Sequence, residues 1–340
     1  MSGRMYTPAP WLPGPHGQTL WGRFFRRVPR LKLRHERWET HDSDIVDVYR
    51  LAGEDDAPHL LLLHGLEGGL HSHYARGMLS EAARRGWHAT FLIFRSCGPE
   101  LNLLPRFYHS GDTSDARMAL EWILREQRDR LVVMVGVSLG GNVLLRLLAE
   151  EGDNAPARLV AAAAISVPFD LARSARHIQR GFARVYQRHF VRSLKRKALA
   201  KLKLFESHFN RDAIVRAATL YDFDNSVTAP LHGFASADDY YTRSSSLPVL
   251  DRIRVPTILL SAEDDPFLPP EVLQDVRQAA RGNAHLQLEF VPHGGHVGFI
   301  SGPPWRQTYW AEVRAFEFLA QRIAERREQV TLPPVSGGVG

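Results

Sequence analysis

The sequence predicts an α/β fold in which an eight-stranded, mostly parallel sheet is flanked by helices and a helical cap is inserted after the sixth strand. Three observations lead there. Short apolar runs of strand length recur along the chain, helical patterns separate the later runs, and roughly eighty residues follow Pro168 before the next convincing strand. The first two features are the pattern of a parallel sheet with crossover helices. The third is too long for a plain loop, so that segment should carry helices of its own.

The strands are expected near Leu31–Trp38, Ile45–Leu51, His59–Leu63, Ala89–Arg95, Leu131–Gly136, Leu159–Ser166, Pro256–Ser261 and Leu286–Val291. No helix separates the first two, which therefore read as an antiparallel hairpin. Helical patterns at Asp112–Gln127 and Leu139–Glu150 supply crossovers for the later ones. Residues 1–30 read as an extended arm packing on the core, because Pro8, Pro10, Pro13 and Pro15 crowd it. The core is expected at 31–168 and 251–326, the cap at 169–250 and a flexible tail at 327–340.

Composition narrows the class. With 340 residues, 44% hydrophobic and 24% charged, the chain can bury a substantial core and is not expected to be disordered. A single cysteine cannot form an internal disulfide, and Met1–Pro10 lacks the pattern of a secretory signal, so a reducing cytoplasm is the expected setting. No run reaches the roughly 18 apolar residues of a spanning helix. The net charge of +6 suits an anionic partner. Nucleic acid is not expected, since no recognition fold or aromatic-basic platform is present.

Gly136-Val137-Ser138-Leu139-Gly140 is weak alone, because a chain this long contains such a pattern by chance about one time in ten. Its context strengthens it: a buried-strand pattern precedes it and a helical pattern follows, so Ser138 falls at a sharp strand-to-helix turn. A serine hydroxyl needs a base, and the base needs a third group to hold it. Downstream, the seventh strand runs into Glu263-Asp264-Asp265-Pro266 and the eighth into His293-Gly294-Gly295-His296. Both are carboxyl ends of strands, where open α/β sheets place their sites.

Asp265 is favoured over Asp264 because Pro266 biases it towards an extended strand exit. His296 is favoured over His293 because two glycines can turn the loop back over the sheet. The oxyanion would be held by the amide of Leu139 and by that of Leu66, in the glycine-rich turn His64-Gly65-Leu66-Glu67-Gly68-Gly69. No cofactor or metal is expected: that turn lacks phosphate-binding signatures, and the sixteen histidines form no zinc motif. Cys97 reads as structural.

Together, His64-Gly65-Leu66-Glu67-Gly68, Gly136–Asn142 and His293–Phe299 resemble the YheT-like branch of the alpha/beta hydrolases, the AB hydrolase 4 type. Pro15-His16-Gly17-Gln18-Thr19, His109–Asp112, Phe182–Arg188 and Tyr221-Asp222-Phe223-Asp224 also have counterparts in that family. The resemblance implies the alpha/beta-hydrolase fold, the triad Ser138, Asp265 and His296, no cofactor, and esterase or lipase activity on short- to medium-chain acyl groups. Ser96 departs from the glycine usual after Arg95, which is expected to affect the turn beside the pocket. The rival readings are a thioesterase or peptidase on the same triad and a non-catalytic lipid or ligand binder.

The cap is basic. No acidic residue lies between Leu171 and Phe205, while Arg173, Arg176, Arg180, Arg184, Arg188 and Arg192 recur at helical spacing. They read as one face of an amphipathic helix, with Ile178, Phe182, Val185 and Phe190 largely on the other side. Such a face could touch an anionic membrane surface. The simpler reading, arginines solvated or paired with acids of the core, is the one the sequence favours.

Overall fold

The computed structural model describes residues 5–205 and 208–331. Its main sheet has the strands β1 (Arg34–Glu39), β2 (Ile45–Leu51), β3 (His59–Leu63), β4 (His88–Ile93), β5 (Val132–Val137), β6 (Leu159–Ile165), β7 (Thr257–Ala262) and β8 (Leu286–Val291). They lie in the order β1-β2-β4-β3-β5-β6-β7-β8. β2 is antiparallel to both β1 and β4, and the remaining pairs are parallel. A short hairpin of β9 (Ile300–Ser301) and β10 (Thr308–Tyr309), absent from the sequence expectation, stands apart from this sheet.

Strand periodicity explains the two cores. Leu60 and Leu62 of β3 point into one cluster and Leu61 and Leu63 into the other, and all four are fully buried. Each such side chain contributes about 1.5–3 kcal/mol on burial. One layer is covered by α3 (Ser114–Glu126), α4 (Leu139–Glu151) and α11 (Glu271–Ala279), the other by α2 (His73–Arg84) and α12 (Trp310–Thr331).

Between β6 and β7 the chain forms α5 (Leu171–His177), α6 (Ala183–Leu202), α7 (Arg211–Arg216), α8 (Leu220–Phe223), α9 (Ala229–Leu231) and α10 (Ala237–Ser244). Buried Lys201 of α6 anchors this layer: its ammonium donates to the carbonyls of Asn102, Leu104 and Arg106.

Three expectations need correction. The arm is not simply extended, because α1 (Pro15–Phe25) forms within it; Pro15 is the first residue of that helix, where a missing N–H is harmless and its fixed φ is favourable. The basic stripe is not one helix: Gly181, at φ 50°, separates α5 from α6. Residues 327–331 of the expected tail continue α12, as suits Arg327-Glu328-Gln329, and 332–340 lie outside the described residues. Among the described residues no helix is long and apolar enough to cross a membrane.

Candidate active site

The turn from β5 into α4 holds Ser138 at φ 54°, ψ −122°, a conformation that costs a non-glycine residue about 1–3 kcal/mol. Close backbone packing enforces it. A Cβ at Gly140 would stand 2.4 Å from the His64 carbonyl oxygen, and one at Gly136 would stand 2.4 Å from that of Gly140. The hydroxyl is thereby lifted off the sheet, with the positive end of α4 behind it.

Beyond β7, buried Asp265 places Oδ2 2.7 Å from His296 Nδ1, and its Oδ1 accepts the Phe267 N–H at 2.8 Å. On the other side of the ring, His296 Nε2 lies 3.1 Å from Ser138 Oγ. The three side chains therefore form one hydrogen-bonded line. Asp264 faces away from it, accepting the Gly295 N–H at 2.9 Å and lying 3.3 Å from exposed His293.

The His296 loop is held by residues that sequence reasoning did not place there. Thr19 Oγ1 accepts the His296 N–H at 2.9 Å, Gln18 Oε1 accepts the Ile300 N–H at 2.7 Å, and Ser166 Oγ accepts the Val297 N–H at 3.1 Å. The Phe267 ring stacks on His296 at 4.1 Å between centroids. The signal for Gln18 and Thr19 was the amino-terminal motif Pro15–Thr19, but not its role.

The loop after β3 is similarly braced. Burial pushes His64 down to about 3 and so keeps it neutral. Its Nδ1–H donates to Gly65 O at 2.7 Å, while Nε2 accepts the Phe94 N–H at 3.0 Å. The Gly65 N–H donates to Tyr74 Oη at 2.8 Å and the Glu67 N–H to Tyr108 Oη at 2.7 Å. Between them, the Leu66 N–H has no acceptor among the described residues, and neither has that of Leu139. Both residues border the same cavity as Ser138 and His296.

That cavity has a volume of about 130 Å³ and mostly apolar walls, with Leu171, Ile178, Phe190, Leu194, Phe223 and Leu268 among them. Its polar lining includes Glu67, Lys197 and one residue of the Tyr221–Asp224 motif. Asp222 caps α8 with Thr219, whereas Asp224 opens a π-helical turn and borders the cavity. Burial pushes the Asp224 carboxyl up to about 6, although it accepts hydrogen bonds from Thr228 and Tyr241, each at 2.7 Å.

Ser96, in the place where the family has glycine, adopts the left-handed φ of 62° and donates to Asn102 Oδ1 at 2.5 Å. The turn therefore keeps a backbone that glycine also adopts, with the Ser96 hydroxyl hydrogen-bonded inside it. Burial pushes the neighbouring Cys97 thiol up to about 11, the wrong direction for a nucleophile. Among the described residues, no three His, Cys, Asp or Glu side chains converge as a metal site.

Comparison with known proteins agrees with this architecture. Residues 58–303 match the family described as alpha/beta hydrolase fold. "Putative esterase YheT" of Escherichia coli (strain K12) is 38% identical over 309 residues, covering 89% of this chain and 89% of that protein. "Phospholipase ABHD3" of Mus musculus is 26% identical over 335 residues, covering 96% of this chain and 80% of that protein. Among solved structures, the Pyrococcus furiosus esterase Pf2001 superposes with a TM-score of 0.56 at 15% identity, covering 94% of this chain and 99% of that one, a likeness of fold. The chain belongs to the alpha/beta hydrolase fold family, in the branch that includes YheT.

Proposed function

We propose that this protein is a carboxylic ester hydrolase that cleaves short- to medium-chain acyl esters, including monoacylglycerol-like lipids, through an acyl-enzyme on Ser138. The observation that carries this is the line from Ser138 Oγ through His296 to Asp265, with gaps of 3.1 and 2.7 Å, opening on an apolar cavity.

In this mechanism His296 Nε2 takes the hydroxyl proton as Ser138 Oγ attacks the ester carbonyl. Asp265 holds the other ring nitrogen as N–H and stabilises the imidazolium. The Leu66 and Leu139 amides receive the oxyanion, an arrangement worth about 3–4 kcal/mol per donor in related chemistry. His296 then protonates the departing alkoxide, and the ester C–O bond breaks. Water attacks the acyl-enzyme by the same route and frees the acid and Ser138. The names of the relatives, an esterase and a phospholipase, support an ester substrate. The lone cysteine supports a reducing cytoplasm as the setting.

A panel of p-nitrophenyl esters of graded acyl length, with a thioester and a peptide analogue beside them, tests this reading on wild type and Ser138→Ala. Turnover should favour short and medium esters and vanish in the variant. Preference for the thioester or peptide would overturn the substrate assignment, and turnover undiminished in Ser138→Ala would overturn the mechanism.

A further inference from the structure

The helix that roofs the cavity has an outer face the mechanism does not use. Phe190, Leu194 and Lys197 of α6 line the cavity from within. On the outside stand Arg184, Arg188, Arg192 and Arg196, four residues apart and all exposed. None has an acidic partner among the described residues; the cap's ion pairs are made by Arg173, Lys197 and Arg243 instead. The nearby Asp222 is engaged with the Ala218 and Thr219 amides.

α1 packs against the start of α6. His16 packs on Phe182 at 4.7 Å and on Tyr186 at 5.8 Å, and Leu20 joins the cluster of Ile178, Ala183 and Tyr186. Further along, partial burial and then the charges of Arg23 on α1 and Arg192 on α6 lower the pKa of His189. At this end α1 presents Phe24 and Phe25, 65% and 61% exposed, between exposed Arg23 and Arg27. Phe182, just before α6, and Val185 within it, both expected on the apolar side of a single helix, are each 50% exposed. Large apolar side chains held in water among unpaired arginines are the composition of an interfacial helix face.

We propose that the outer faces of α1 and α6 form a docking surface for a bilayer carrying anionic phospholipid headgroups, seating the roof of the cavity on the membrane. The arginines would meet the phosphates, while Phe24, Phe25, Phe182 and Val185 would enter the headgroup boundary. A purely solvated basic face explains the arginines but not the exposed aromatic residues beside them.

The test is co-sedimentation of the full chain carrying Ser138→Ala, so that no lipid is consumed and the outcome does not depend on the proposed chemistry. Vesicles of phosphatidylcholine mixed with phosphatidylglycerol are compared with phosphatidylcholine alone, at low and high salt. Binding should be at least about tenfold stronger to the mixed vesicles and should weaken with salt. Adding Arg184→Gln, Arg188→Gln and Arg192→Gln together should weaken it by about 100-fold, at about fivefold per arginine. Phe24→Ser with Phe25→Ser should weaken it by about tenfold. All five changes are at exposed positions, and matching unfolding midpoints establish that the variants are folded. Absent binding, equal binding to both vesicles, or arginine variants that bind like the parent would overturn the proposal. So would heparin binding as tight as vesicle binding with the phenylalanine variant unaffected, which would assign the face to a soluble polyanion.

Discussion

Lys197 Nζ lies 2.7 Å from Glu67 Oε1, joining α6 of the cap to the loop that presents the Leu66 amide. Glu67 is almost fully buried, sits at φ 54°, and also accepts hydrogen bonds from the Tyr108 and Ser193 hydroxyls. The roof of the cavity and one side of the proposed oxyanion site are therefore a single connected unit.

Lys197→Met would leave the Glu67 carboxylate with hydroxyl partners alone. Breaking one side of such a pair costs on the order of 3–5 kcal/mol. We predict a lower unfolding midpoint and a kcat reduced by about tenfold with little change in KM. Cys97, whose Sγ lies 3.2 Å from Lys197 Nζ, should react more slowly with a maleimide, because the ammonium that favours its thiolate is gone. Combining Lys197→Met with Glu67→Gln should cost less than the sum of the two changes by about 1–3 kcal/mol, measured as a double-mutant cycle.

Thr19→Val removes the acceptor of the His296 N–H while preserving shape. An unsatisfied buried donor costs about 1–3 kcal/mol. If Thr19 serves mainly to hold the His296 loop, kcat should fall by about tenfold or more, with a smaller effect on thermal stability. Steady-state kinetics beside a melting curve separate the two effects.

The aspartates should differ sharply. Asp265→Asn keeps the shape but replaces the acceptor of the His296 Nδ1–H, and activity should fall by about 10³–10⁴-fold. Asp264→Asn alters only a loop-amide contact and a partly exposed histidine pair, so its activity should stay within about threefold of wild type. Comparable losses in both variants would contradict the assignment.

Stability should fall as pH drops below about 6.5. Burial holds His59, His64, His73 and His232 down to about 3 and His109 to about 4 in the folded chain. The unfolded chain therefore binds more protons once pH falls through about 6.5, and the difference persists until the folded values are reached. Each histidine contributes a slope on the order of 1 kcal/mol per pH unit. Asp224 opposes them between about 6 and 4, because its raised folded pKa makes the native state take up the proton first. Urea midpoints should be nearly level from pH 8 to 7 and should decline from pH 6 to 5.

The features legible in the sequence are those set by local pattern. β2, β3 and β8 begin and end where their apolar runs and flanking turns place them, and Ser138, Asp265 and His296 stand just beyond the ends of β5, β7 and β8, where the sequence placed the candidates. α1 was hidden because prolines mark both extended chain and helix starts, and only the packing of Leu20 and Gln18 distinguishes the two. The break at Gly181 was missed because arginine spacing continues across it as though the helix did. Thr19 touches His296 across 277 positions, a separation at which no pattern in the sequence reports contact.

The most direct measurement is fluorophosphonate labelling followed by peptide mass mapping, on wild type, Ser138→Ala and His296→Ala. Wild type should give one adduct, on the peptide that contains Ser138, Ser138→Ala none and His296→Ala a much slower one. An adduct on another residue, or labelling undiminished in Ser138→Ala, would contradict Ser138 as the nucleophile.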